Sequence, residues 1–209
     1  LRRGPSWLHR GALLINRAGR NLERGFEMEE LSLHLLDLVE NALRAEAGLI
    51  KIGIYEEPEQ DLLSLLVEDD GRGMEPGMAA AASNPFFTTR TTRRVGLGLS
   101  LLQANAQACE GDLTLESRLG EGTRVKAWFT LSHIDRQPLG GWPATITGLI
   151  LTQQGVEFFY SHRVGDDEFE LDTRELRREL GRDALADPAV TAMLREQVQE
   201  ALAKMGSRA

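Results

Sequence analysis

Between Leu31 and Ala45 the apolar residues Leu31, Leu35, Leu38, Ala42 and Ala45 recur at three- and four-residue steps, the stripe of an amphipathic helix. A second series at the same steps, His34, Asp37, Asn41 and Arg44, is wholly polar, so four hydrogen-bonding groups share one side of that helix. Such a face is either solvated or turned toward a ligand. The pattern then changes to alternation. Ile50, Ile52 and Ile54, followed by Leu63, Leu65 and Val67, predict two strands joined as a hairpin by the acidic turn at 56–61. A short alanine-rich helix is predicted over 75–82, with Pro76 in its first turn. Leu99, Leu101, Leu102 and Ala106 sketch another helix, and strands are predicted over 112–118 and 123–131. Helix, strand, strand, short helix, loop, helix, strand, strand is the order of an α+β fold: a two-layer sandwich with a mixed sheet and helices on one face.

Beyond it, Pro138, Gly140, Gly141 and Pro143 mark 132–145 as a connector. Residues 145–152 and 156–162 read as strands, with 168–171 able to pair with them. Asp172-Thr-Arg-Glu175 is a capping-box pattern, and Asp187-Pro188 opens a last helix with Val190, Met193, Leu194, Val198 and Leu202 along one side. That side either packs on its own strands or binds a partner. The predicted organisation is a flexible extension (1–27), a main domain (28–131), the connector, and a small strand-helix interaction region (146–209). The extension carries six Arg and two Glu but almost no Ser, which fits an upstream extension better than a transit peptide.

Composition narrows the function classes. With 42% apolar and 27% charged residues, and no apolar run near the roughly 20 residues of a membrane span, a cytoplasmic protein without a membrane partner is expected. A net charge of -8 argues against nonspecific nucleic-acid binding, which depends on clustered Lys and Arg. Cys109 is the only cysteine, so no intrachain disulfide or cysteine metal cluster can form, and it reads as a small buried apolar residue.

Four motifs carry chemistry: Asp37-Leu-Val-Glu-Asn41, Asp69-Asp-Gly-Arg-Gly73, Gly96-Leu-Gly98 and Gly120-Glu-Gly122-Thr123. Each alone is common; their order between the predicted elements is not. Asp69 ends the second strand, where an ionised carboxylate, which only accepts hydrogen bonds, can pair with adenine's amino group; guanine presents a carbonyl there and is repelled. The bland alternative is a surface Asp-Gly turn. The stretch 83–95 is rich in hydroxyls and Arg, lacks periodicity, and is predicted mobile. It leads into Gly96-Leu-Gly98 at a helix start, where freed amides, the helix dipole and Arg90, Arg93 and Arg94 suit a triphosphate. No Walker loop occurs, and the polar loop before these glycines excludes the dinucleotide fingerprint. Phe86 and Phe87 either anchor the loop or stack on the base. Thr123 either turns its hydroxyl to the adenine pocket or satisfies the turn.

Over about residues 29–131 the chain resembles the GHKL ATPases, the Bergerat-fold group that includes histidine kinases, pyruvate dehydrogenase kinases, gyrase B, heat-shock protein 90 and mismatch-repair ATPases. The resemblance implies ATP and Mg²⁺ as cofactors. It makes Asn41 the metal ligand, Gly71 and Gly73 the frame of the base beside Asp69, and Gly96 and Gly98 the phosphate-holding glycines under a lid formed by 83–95. It also places Gly122 and Thr123 at the adenine edge. The expected nucleotide-contact set is Asn41, Arg44, Asp69, Gly71, Gly73 and Met74, then Phe87, Thr88, Thr89, Arg90, Arg94 and Val95 of the lid, and Gly96, Leu97, Gly98, Leu99 and Thr123. Four residues before the metal Asn, hydrolytic members carry a Glu base and many histidine kinases an Asn. This chain has Asp37, one methylene shorter than Glu, so it is the expected catalytic base and hydrolysis is expected to be slow. Glu40 points about 100° round the helix from Asn41 and ranks below it. His34, one turn from Asp37, either orients it or is a satisfied structural histidine.

Asn41-Ala-Leu-Arg-Ala45 is most similar to the pyruvate dehydrogenase kinase version. Only 27 irregular residues precede Met28, so the helical hairpin bearing a phosphorylated His is expected to be missing, and His133 and His162 at strand ends are poor substitutes. The reading is therefore a Mg-ATP-binding regulatory protein that passes phosphate to an unidentified protein partner or slowly hydrolyses ATP, with a homodimer possible. The alternative is a non-catalytic adenine-nucleotide sensor whose lid controls partner binding.

Overall fold

The computed structural model describes residues 30–75, 77, 98–181 and 183–207. The extension at 1–27, most of the helix expected over 75–82, and the lid at 83–95 lie outside them. So do Phe87, Thr88, Thr89, Arg90, Arg94, Val95, Gly96 and Leu97 of the expected contact set.

The apolar stripe forms α1 (Leu31–Arg44), burying Leu31, Leu35, Leu38, Val39 and Ala42. No side chain caps its start. Instead the connector does so: the Leu31 and Ser32 amides donate to the Pro138 and Leu139 carbonyls at 2.9 and 3.1 Å, satisfying donors that a helix start leaves open. The two alternating runs form β1 (Leu49–Glu57) and β2 (Leu62–Asp69), paired antiparallel with Ile52 opposite Val67. α2 (Gly98–Ala108) follows, then β3 (Asp112–Arg118) and β4 (Gly122–Thr130), with β4 antiparallel to both β3 and β2.

Residues 145–152, expected as a strand, lie instead in a helix, α3 (Trp142–Thr152). Its threonines and isoleucines imitate a strand locally. Two things override that. Pro143 sits in the first helical turn, where its missing N–H costs nothing, and Trp142, Ile146, Leu149 and Ile150 share one helical face and are buried. The threonine hydroxyls turn back onto the preceding turn, Thr147 Oγ1 donating to the Pro143 carbonyl at 2.8 Å and Thr152 Oγ1 to that of Gly148 at 2.8 Å. Topology needs the helix as well. β5 (Glu157–Val164) lies parallel to β1, and a parallel pairing requires a long crossover.

β6 (Asp167–Asp172) pairs antiparallel with β5, as expected of 168–171, and completes a six-stranded mixed sheet in the order β3-β4-β2-β1-β5-β6. α4 (Thr173–Leu180) is capped by Asp172, whose carboxylate accepts from the Arg174 amide at 2.8 Å. α5 (Pro188–Met205) is capped by Asp187, accepting from the Ala189 amide at 2.8 Å. Leu194 and Val198 of α5 are buried, and the helix packs on α3 and β6. The expected α+β class, a mixed sheet with helices, is the one observed.

Alternation gives the sheet one buried face. Ile50, Ile52, Ile54, Leu63, Leu65, Val67, Val125, Ala127, Phe129, Phe158 and Tyr160 build the core with α1 and α3, and Cys109 is buried with them. At the end of this face where β1 finishes, the apolar pattern gives way to Glu56, fully buried. His162 Nε2 lies 2.9 Å from Glu56 Oε1, Tyr160 Oη lies 2.9 Å from His162 Nδ1, and Ser207 Oγ donates to Glu56 Oε1 at 2.5 Å. Burial raises the Tyr160 pKa well above the ordinary phenol value, keeping its proton available for His162.

Candidate functional site

At the opposite end of the sheet, where β2 finishes, Asp69 lies opposite Ile50 on one side and Thr123 on the other. It is half-buried, and burial raises its carboxyl pKa above the usual aspartate value. The Gly71 and Thr123 amides pull the pKa back down, while Asp70 and Glu68 add to the rise. The Gly71 amide donates to Asp69 Oδ1 at 2.9 Å. A carboxylate offers about four acceptor positions, so two amides leave capacity unfilled.

The glycines let the following turn come close. A Cβ on Gly71 would lie 2.7 Å from the Ala45 carbonyl oxygen and 2.9 Å from Asp69 Oδ1. Gly73 has φ +64°, and a Cβ there would fall 1.9 Å from the Arg118 carbonyl oxygen. The turn is strapped on both sides, the Arg72 amide donating to the Ala45 carbonyl and the Gly120 amide to the Arg72 carbonyl, each at 2.8 Å.

Two further residues hold this end together, and neither was singled out from the sequence. Asp70 Oδ1 accepts from the Gly48 and Leu49 amides at 2.7 and 2.8 Å, fixing the entry of β1 against the exit of β2. Ser117 accepts from the Met74 amide at 2.9 Å and lies 3.0 Å from both Thr123 Oγ1 and the Gly122 carbonyl oxygen. The doubled Asp69-Asp70 hinted at the first; a Ser alternating with Leu113 and Leu115 was the only sign of the second.

On α1 the polar series splits along its length. Asn41 and Arg44 are exposed, and Arg44 pairs with Glu40. Asp37 is half-buried, and a Cβ on Gly98 would stand 2.6 Å from its Oδ2, so the expected base lies directly against the first residue of α2. Leu99 follows on α2, partly buried against the core. His34 is buried, and neither ring nitrogen has a hydrogen-bond partner among the described residues. Burial lowers its pKa to about 4, against an opposing pull from the Gln137 side chain, so the ring is neutral and does not hold Asp37.

A cavity of about 650 Å³ surrounds the strand ends. Asp69, Ser117 and Thr123 are among its lining residues, together with Lys51, Glu68 and Arg124 of the neighbouring strand positions. It takes in the Asp69 end of the site; Asp37, Asn41 and Gly98 lie outside its lining. Among the described residues no group of three or more His, Cys, Asp or Glu could hold a metal. Asn41 offers one amide oxygen, which suits Mg²⁺ only if phosphates and water supply the remaining ligands. The donor set fits a purine nucleotide: spare carboxylate acceptor capacity beside amide and hydroxyl groups, with an exposed Asn oxygen on α1.

Known proteins carry the same segment. Residues 28–133 match the family described as histidine kinase-, DNA gyrase B-, and HSP90-like ATPases. The sensor protein kinase FleS of Pseudomonas aeruginosa is 44% identical over 89 residues, 43% of this chain and 22% of that protein. A putative sensor protein of Shewanella frigidimarina is 31% identical over 113 residues, 52% of this chain and 17% of that protein. The histidine protein kinase DivJ of Caulobacter vibrioides is 32% identical over 108 residues, 50% of this chain and 18% of that protein. The chain thus spans only about a fifth of these relatives' length. No helix among the described residues is long and apolar enough to cross a membrane. Asp37, Asn41, Asp69, Gly98 and Thr123 all fall within the matched segment, and the chain belongs to the histidine kinase-, DNA gyrase B-, and HSP90-like ATPase family.

Proposed function

We propose that the chain is a regulatory protein that binds Mg-ATP between α1, the Gly71–Gly73 turn and the start of α2, and passes phosphate to a partner protein or slowly to water. The observation that carries this reading is the state of Asp69: a half-buried carboxylate with acceptor positions to spare, next to the backbone of Thr123. An acceptor-only group in that position selects a base that presents an amino group. Asn41 would contribute its oxygen to Mg²⁺, which when bound neutralises phosphate charge. Asp37 would accept the proton from an incoming water or hydroxyl; what supports this role is its closeness to Gly98, at the helix start that family resemblance gives to the phosphates.

Phosphate release and transfer test the reading. Turnover with Mg-ATP should disappear in Asp37→Asn while ATP affinity persists. Tight binding with no turnover, alone or with any protein phosphoacceptor, would instead make the chain a nucleotide sensor. That second reading is favoured by one feature, the shorter Asp where hydrolytic members of the family carry Glu.

A further inference from the structure

We propose that Ser117 is a positioning residue that sets the direction of the Thr123 hydroxyl, and through it the base preference of the site; this rests on the adenine reading of Asp69. The argument is a count of protons. A serine hydroxyl has one proton and two acceptor positions. The Met74 amide, at 2.9 Å, fills one acceptor position of Ser117 Oγ. The single proton has two acceptors at equal distance, the Gly122 carbonyl oxygen and Thr123 Oγ1, both at 3.0 Å.

The two choices give opposite sites. If Ser117 donates to Gly122, Thr123 must donate to Ser117, and only acceptor positions of Thr123 are left for a ligand. If Ser117 donates to Thr123, the Thr123 proton is released and the hydroxyl becomes a donor. Asp69 and Thr123 are register partners on adjacent strands, so both reach the same cavity side by side. Beside an acceptor-only carboxylate, a released threonine proton completes a donor-acceptor pair. That pair matches adenine, whose amino donor adjoins a ring-nitrogen acceptor, and mismatches guanine, whose carbonyl adjoins a ring N–H. With the proton on Gly122 the pair presents acceptors alone and loses its hold on the ring nitrogen. Ser117 touches no base atom in this scheme; it acts through Thr123.

A double-mutant cycle on the full chain tests this, using Mg-ATP and Mg-GTP as probes with heat or fluorescence as readout. Thr123→Val should weaken Mg-ATP by about fivefold, the scale of one hydrogen bond, and lower the ATP-to-GTP affinity ratio, whereas Ser117→Ala, which leaves the Thr123 proton present but undirected, should lower both by a smaller factor. The double variant should be no weaker than the weaker single one, because one residue works through the other. Ser117→Thr keeps the hydroxyl and should restore both affinity and ratio. If Ser117→Ala does not fold, Ser117→Cys, with its weak donor, enters the same cycle. Multiplying effects, or an ATP-to-GTP ratio that Ser117 variants leave unchanged, would overturn the proposal while leaving the ATP site in place. Failure of the unaltered protein to bind Mg-ATP saturably would overturn both.

Discussion

At the end of the sheet where β1 finishes, Glu56, His162 and Tyr160 are fully buried, and none of their side-chain polar atoms lacks a partner. At the end where β2 finishes, Asp69, Ser117 and Thr123 form a network of similar size, but it is half-buried, opens on a cavity and leaves acceptor positions unused. Both begin at the same event, a core-facing position of an alternating strand occupied by an acid. The closed network has its hydrogen bonds filled by other parts of the chain, including Ser207 near the C-terminus. The open one has its amides supplied by a glycine turn, which brings backbone without side chains and so leaves room. Most buried polar groups are paired within the chain, and the acceptor positions left over at the open end are the ones the proposed nucleotide would fill.

The contrast should break most visibly at the closed end. Glu56→Ala would leave His162 Nε2 and the Ser207 hydroxyl without their acceptor in the core, and should cost about 3 to 5 kcal/mol in urea unfolding. Mg-ATP affinity of the folded fraction should not change. His34 provides the next effect. Its folded pKa of about 4 lies below the ordinary histidine value, so the unfolded chain takes up the proton first as the medium is acidified. Stability should therefore be full above about pH 6.5 and fall by about 3 kcal/mol as pH drops toward 4. His34→Leu should flatten that limb in melts recorded across the range.

At the open end, Asp69→Asn should weaken Mg-ATP by about 1 to 3 kcal/mol without lowering the melting temperature, because the carboxylate is a buried charge only partly compensated. Its raised pKa has a further consequence. The acceptor form is lost as pH falls through a value above the usual aspartate range, so ATP affinity of the unaltered protein should decline there and that of Asp69→Asn should not. The smallest effect belongs to the surface. Lys51 Nζ sits 2.8 Å from Glu68 Oε1 at the cavity rim, half exposed, and Lys51→Ala should change stability by no more than about 1 kcal/mol.

How far the sequence reveals this contrast depends on whether the deciding partners are near in the chain. Asp69, its glycines and the hairpin before it were legible because one strand and one turn suffice to place them. α1, β1 to β4 and the capped helices α4 and α5 were legible for the same reason. The helical state of 145–152 was not: its β-branched run gives a strand locally, and only the parallel pairing of β5 with β1 demands the crossover. The Glu56–His162 pairing joins residues 106 positions apart. Ser117 looked like any strand serine, because its role depends on the Gly71–Met74 turn arriving from a separate part of the chain. Of the two readings of His34, orienting Asp37 or a satisfied structural histidine, neither anticipates a ring that the helix turns into the core with both nitrogens lacking a hydrogen-bond partner among the described residues.

Calorimetric titration of the full chain with Mg-ATP, alongside Asp69→Asn, addresses the open end most directly. The account predicts one saturable site in the unaltered protein and an affinity at least several-fold weaker in the variant, with both proteins equally folded. Equal affinity in the two, or no saturable heat in the unaltered protein, would contradict it.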